Sequence, residues 1–195
     1  MNKIISDYEL IMRFITGEQS CFEQLIHRHK NKVFAYINHY IRDQALAEDI
    51  FQDTFLKVIQ SVKAGKYSDN GKFLSWVMRI AHNLIIDHFR RLKQMNTISN
   101  DNYESDIFNS KKFAEDNVED DMIKRQIQKD VRRMISHLPD DQREVVILRH
   151  YADLSFKEIA DITGVSINTA LGRMRYALIN LRKIMEEKKI SLTII

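Results

Sequence analysis

The sequence predicts an all-α protein built as two helical domains. Three observations point there. The 195 residues include only 5 Gly and 1 Pro, too few turn-formers for a sandwich or barrel. Leu, Ile, Glu, Lys, Arg, Gln and Met dominate, and these side chains lose little freedom in a helix. Apolar residues recur every three to four positions through both halves of the chain. Hydrophobic residues make up 44%, enough for a core, and charged residues 29%, enough for a solvated surface.

The first predicted domain spans 1–94. Ser6 with Glu9 fits a capping box. Leu10, Phe14, Phe22, Leu25, Ile26, Val33, Phe34 and Ile37 then recur at helical spacing. In the next helix Leu46, Ile50, Phe51, Phe55 (or Thr54), Val58, Ile59 and Val62 share one stripe. GKYSDNGK at 65–72 is the strongest loop signal. A long helix follows, with Phe73, Val77, Ile80, Ala81, Leu84, Ile85, His88 and Phe89 on its inner face.

Residues 101–121 carry eight acidic side chains against two lysines, a local charge of −6, and show no apolar period. Such a segment buries too little to offset its ordering entropy, so 95–120 is expected to be a flexible acidic linker. As a coil it would span roughly 30 Å, and at most about 95 Å extended. The whole chain is +3, so the rest carries +9 in two basic blocks.

The second predicted domain spans 121–188, with a tail at 189–195. Met122, Ile123, Ile127, Val131, Met134, Ile135 and Leu138 form one stripe, which Pro139 ends. DDQREVVILRHYA forms another helix. Ser155 with Glu158 is a capping box, and Gly164 sits where a left-handed residue would turn the chain. Ser166 caps the last helix. Its inner face is Ile167, Ala170, Met174, Ala177, Leu178 and Leu181. Its outer face is Asn168, Thr169, Gly172, Arg173, Arg175 and Tyr176. Short helix, Gly turn and a second helix with small, hydrogen-bonding outward residues make a helix-turn-helix, which a major groove can accept. Arginines there reach phosphates or a guanine edge. The bland alternative is a helical hairpin with solvated arginines.

In the first domain, Lys72, Arg79, Arg90, Arg91 and Lys93 against Asp87 give the 72–93 helix a charge of +4. Arg79, Asn83, Asp87 and Arg90 share one polar face. Phe73 and Trp76 stand beside the polar loop, and aromatics among basic residues suit unstacked single-stranded bases. Core packing would explain both aromatics equally well. Asp49 and Asp53, one turn apart and flanked by Glu48 and Gln52, admit three readings: a solvated helix start, a docking patch for a basic partner, or half of a carboxylate metal site. The last needs a second carboxylate pair downstream, and 66–86 holds only Asp69. His27 and His29 diverge on their helix, as do His82 and His88. No catalytic residues, metal ligands or cofactors are expected, and no enzymatic activity.

Cys21 stands alone, which excludes an internal disulfide framework and fits a reducing cytoplasm. The segment MNKIISDYELIMRF is not patterned as a signal peptide. No run of 18 apolar residues exists, so no membrane span is expected.

The blocks in this order resemble the extracytoplasmic-function (ECF) group of sigma-70 factors of bacterial RNA polymerase. AEDIFQDTFLKVI resembles the family's docking segment for the β′ clamp helices. FLSWVMRIAHNLIIDHFRR resembles its promoter-melting, −10 element segment, and LPDDQREVVILRHYADLSFKEIADITGVSINTALGRMRYAL its −35 domain. The resemblance implies polymerase docking by Glu48, Asp49, Gln52 and Asp53. It implies −10 contacts from Lys72, Phe73, Trp76, Arg79, Asn83, Asp87, Arg90 and Arg91, with 65–72 as the loop that captures a flipped base. It implies −35 contacts from Ser166, Asn168, Thr169, Gly172, Arg173, Arg175 and Tyr176. The partners implied are core RNA polymerase (β′ clamp helices and β flap), promoter DNA and an anti-sigma factor or other regulator, with the chain cytoplasmic and at the nucleoid when bound to polymerase. Leu171 and Gly172 replace the basic and Ser residues common in the family, so upstream sequence preference does not transfer. The alternative function is a stand-alone helix-turn-helix regulator.

Overall fold

A computed structural model describes residues 5–41, 43–68, 71–96 and 130–188. All regular structure among them is helical. The chain divides into two compact units, Met1–Phe108 and Asn109–Ile195. Most of the expected linker, the stripe residues Met122, Ile123 and Ile127, Asp69 and the tail lie outside the described residues.

The first unit contains α1 (Asp7–Ile15), α2 (Gln19–Tyr40), α3 (Gln44–Lys63) and α4 (Phe73–Asn96). Ser6 caps α1 by accepting from the Glu9 amide at 3.2 Å. Glu9 does not return the bond; its carboxylate pairs with Arg13 at 2.5 Å, so the predicted box is half a box. Asp43 caps α3 by accepting from Leu46 N–H at 3.0 Å, a cap of the kind worth about 1 kcal/mol. The four helices meet on Leu10, Phe14, Phe22, Leu25, Val33, Ile37, Ile50, Phe55, Val58, Val77 and Ala81, all buried. Phe22 links three of them, its ring 4.8 Å from Phe14 on α1 and 6.4 Å from Phe55 on α3. Each such large side chain contributes roughly 1.5–3 kcal/mol by leaving water. Burial also pushes the Cys21 thiol up, and its hydrogen bond to the Glu18 carboxylate adds to the shift; Cys21 is a core residue.

The second unit begins, among the described residues, with helical residues 130–136 (α5). It continues through α6 (Asp140–His150), α7 (Phe156–Thr163) and α8 (Ile167–Glu187). Arg143 folds back to donate to the Leu138 carbonyl and to Asp140, clamping the α5–α6 corner at Pro139. Val145, Val146, Ile147 and Leu148 are all buried; four consecutive residues reach round the whole helix, so α6 is enclosed on several sides, among them by α7 and α8. The only side chains of α8 that are fully buried are Ala170 and Ala177. Small residues there let α8 approach its neighbours closely.

Two helices expose more than their apolar stripes predict. Phe89 was expected inside and is 43% exposed, while Met78 takes a core place. Ile167 and Leu178, also expected inside, are 45% and 44% exposed.

Candidate functional site

On α3, Ala47, Ile50, Thr54, Phe55 and Val58 turn inward. That geometry sends Glu48, Asp49, Gln52 and Asp53 to solvent. Glu48 accepts from the Gln44 side chain at 3.0 Å, a bond along the same helix. Leu56 extends this acidic face by one turn and is 54% exposed. Sequence reasoning missed it, although it stands four residues after Gln52 and so shares its face. The face is thus acidic with an apolar edge.

At the start of α4 the sequence-predicted aromatics separate. Phe73 is 2% exposed, so the contact expected from it is corrected: its ring is a floor rather than a surface. Tyr67, in the 65–72 loop, stands edge-on to that floor at 5.8 Å and lies 4.6 Å from Trp76. Tyr67 and Trp76 are both half-exposed. Together the three rings make one contiguous aromatic cup, with Phe73 buried at its floor and Tyr67 and Trp76, in contact with each other, partly exposed at its rim. Tyr67 was not singled out in the sequence; its signal was an aromatic inside a polar, Gly-bounded loop.

Along α4, Arg79, Asn83, Arg90 and Arg91 are exposed, as is Lys72 just before it. Asp87 pairs with Arg90 at 3.2 Å, so part of the expected readout face neutralises itself. His82 lies on the other side, Nδ1 2.8 Å from the Tyr36 hydroxyl, tying α4 to α2.

In the second unit the helix-turn-helix forms as its caps dictate. Ser155 and Glu158 make the full reciprocal box on α7. Gly164 ends α7 at φ 68°, ψ 29°, a left-handed conformation that costs a side chain energy. Ser166 caps α8, accepting from the Thr169 amide at 3.0 Å. Its hydroxyl is therefore committed to the helix start, 2.9 Å from the Thr169 hydroxyl. Asn168, Thr169, Arg175 and Tyr176 are exposed, Tyr176 at 61%. Gly172 faces open space: a Cβ there would meet nothing within 4 Å. Arg173 departs from the expected outer face. Its guanidinium is paired with Asp141 of α6 and its side chain is only 25% exposed.

Among the described residues no three His, Cys, Asp or Glu side chains gather as a metal set would. No described helix is long and apolar enough to cross a membrane.

Comparison with known proteins assigns both units. Residues 25–94 match Sigma-70 region 2, and residues 128–176 match Sigma-70, region 4. The chain is 31% identical over 175 residues to RNA polymerase sigma factor CarQ of Myxococcus xanthus, covering 90% of this chain and 95% of that one. It is 25% identical to the ECF RNA polymerase sigma-E factor of Haemophilus influenzae, with 96% and 97% covered. In fold it is similar to RpoE of Bartonella quintana, solved with the anti-sigma factor NepR, at TM-score 0.66 and 20% identity over 85% of this chain and 96% of that one. It is similar also to CnrH, solved with the cytosolic domain of CnrY, at TM-score 0.64 and 20% identity over 94% and 99%. With both regions matched and relatives aligned across both units, this chain belongs to the ECF group of the sigma-70 family, subunits that direct promoter-specific transcription by RNA polymerase.

Proposed function

We propose a division of labour among the residues of this sigma factor. Glu48, Asp49, Gln52, Asp53 and the added Leu56 dock on core polymerase, at the β′ clamp helices. Tyr67 and Trp76 take up an unstacked base of the −10 element, with Phe73 beneath them. Lys72, Arg79, Asn83, Arg90 and Arg91 follow the strand. Asn168, Thr169, Gly172, Arg175 and Tyr176 meet the −35 duplex, while Ser166 shapes the helix start and Arg173 acts from the side. The domains act as 1–94 and 121–188, with 95–120 as the tether between promoter elements.

The observation that carries this reading is the cup: two partly exposed aromatic rings beside a cationic helix, in the unit that also bears an acidic face. Flipping a base costs a few kcal/mol, and stacking returns about 1–3 kcal/mol per base. The balance is close, so melting needs the added grip of polymerase and the −35 contact. The chain thus works as a non-enzymatic initiation factor in the cytoplasm, at the nucleoid when bound to polymerase. Because the Bartonella relative was solved with an anti-sigma factor, we assign that class of regulator to this chain too. No observation favours a stand-alone regulator over this reading.

The test is transcription with core polymerase lacking any other specificity subunit. RNA starting at defined sites, lost when Trp76→Ala and Tyr67→Ala are combined, is the expected result. Full activity of that double variant would overturn the assignment of the cup.

A further inference from the structure

We infer that Asp7 and His29 are positioning residues for the aromatic cup, setting from behind Phe73 how Tyr67 and Trp76 are presented to a base. The inference rests on the reading of Tyr67 and Trp76 as a base site.

His29 is 8% exposed, a buried polar side chain in the middle of α2. Its Nε2 lies 2.8 Å from Asp7 Oδ2, at the first turn of α1. The other oxygen of Asp7 accepts from Arg28, and a second Arg28 nitrogen donates to the Ile5 carbonyl at 2.8 Å. The start of α1 is thereby pinned to two consecutive residues of α2. The imidazole then packs on Phe73, centroids 5.5 Å apart. Phe73 in turn touches both partly exposed rings, Tyr67 at 5.8 Å and Trp76 at 6.1 Å.

A run of contacts thus leads from the Asp7 carboxylate through one imidazole to the floor of the cup. Simple packing would be served as well by a leucine at position 29. What the imidazole adds is a fixed ring plane, because its hydrogen bond to Asp7 sets the rotation about its side chain. Set at 52° to Phe73, that ring fixes where Phe73 sits and so how Tyr67 and Trp76, in contact at 4.6 Å, are presented. An apolar side chain free to change rotamer would leave that placement undefined. Arg28 and His29 hold Asp7 from two directions, so the carboxylate itself is pre-set before any nucleic acid arrives, and pre-setting lowers the ordering cost of binding.

Trp76 is the only tryptophan in the chain, so its fluorescence reports the cup directly. The experiment compares wild type, Asp7→Ala, Asp7→Asn, His29→Leu and Tyr67→Ala as full chains assembled with core polymerase. The probe is a fork-junction DNA selected from a randomised pool by the wild-type holoenzyme. Expected for Asp7→Ala and His29→Leu is a loss of about five-fold or more in affinity for the fork, a part of what a lost stacked base costs. Acrylamide quenching of Trp76 in the free chain should rise, while affinity for core polymerase stays unchanged. Asp7→Asn keeps an acceptor oxygen for His29 and restores most of the fork affinity. Circular dichroism on each variant separates this from unfolding, and should Asp7→Ala not fold, His29→Leu against Asp7→Asn carries the comparison. Fork affinity and Trp76 quenching unchanged in folded His29→Leu, alongside a large loss in Tyr67→Ala, would overturn the positioning role alone. No loss in Tyr67→Ala would instead overturn the base-site reading beneath it.

Discussion

Arg173 Nε on α8 lies 3.3 Å from Asp141 Oδ2 on α6. One side of this pair is a quarter exposed and the other half exposed, so water screens it only in part. A second polar tie runs parallel, from the Asn180 side chain to the Gln142 side chain at 2.8 Å. Two ties from the first turn of α6 therefore fix the rotation of α8 about its own axis. That rotation decides which residues face outward near the N-terminus. Asp141→Asn is expected to cost about 1 kcal/mol or less of stability and to weaken binding to −35 duplex with Thr169 and Arg175 intact. The check pairs urea unfolding with duplex titration; duplex affinity unchanged by Asp141→Asn would show that the tie does not orient α8.

Gly172 supplies the cleanest separation of stability from binding. It lies inside a 21-residue helix, where glycine costs about 1 kcal/mol relative to alanine. Nothing in the protein's own packing requires it, since the space where a Cβ would project is empty. Gly172→Ala should raise the unfolding free energy of the second unit by about 1 kcal/mol. The same methyl should weaken −35 duplex binding if DNA comes close there. A variant both more stable and equally tight would remove Gly172 from the interface.

The first unit should lose stability in acid through Asp7. Burial disfavours its charged form, but hydrogen bonds and attraction from His29 and Arg28 outweigh that and lower its pKa below 3.8. A lowered folded pKa means the charged form is bound more tightly in the folded state. Its contribution is complete above about pH 4, the unfolded value, and fades as pH falls through the folded one. Wild type should therefore lose more stability than Asp7→Asn between pH 5 and pH 3, measured as urea midpoints. An equal loss in both would mean the carboxylate contributes no charge-dependent stability.

The helices themselves were legible because burial follows their period. Leu25, Val33 and Ile37 on α2, and Ile50, Val58 and Val62 on α3, are buried as their spacing predicts. Ser155, Gly164 and Ser166 fix the helix-turn-helix through purely local bonds, and local bonds are readable from spacing alone. Ile167 and Leu178 were misplaced for a different reason. A helical wheel assumes a partner along the whole helix, but α7 and α6, of 8 and 11 residues, are all that the described residues show packed on the 21 of α8. Phe89 fails likewise near the end of the 24-residue α4. The pairing of Tyr67 with Trp76, and of Asp7 with His29, depends on how distant segments meet. No periodicity carries that information.

The acidic face of α3 should act on association with polymerase and not on folding. Asp49 and Asp53 are exposed and sit on the side away from Ile50, Thr54 and Val58, so removing either charge disturbs no core contact. Asp49→Ala with Asp53→Ala should leave the unfolding free energy within about 0.5 kcal/mol of wild type. Exposed interfacial charges act mainly on encounter, so the on-rate for core polymerase should fall and lose part of its salt dependence. Leu56→Ala should behave differently. Its side chain is apolar and 54% exposed, so the truncation should speed dissociation with little change in the salt slope, the mark of a contact desolvated on binding. Surface-captured chain and core polymerase at several ionic strengths give both rates. If the double aspartate variant associates at the wild-type rate at low salt, this face is not where polymerase docks, and Leu56 becomes a solitary exposed leucine.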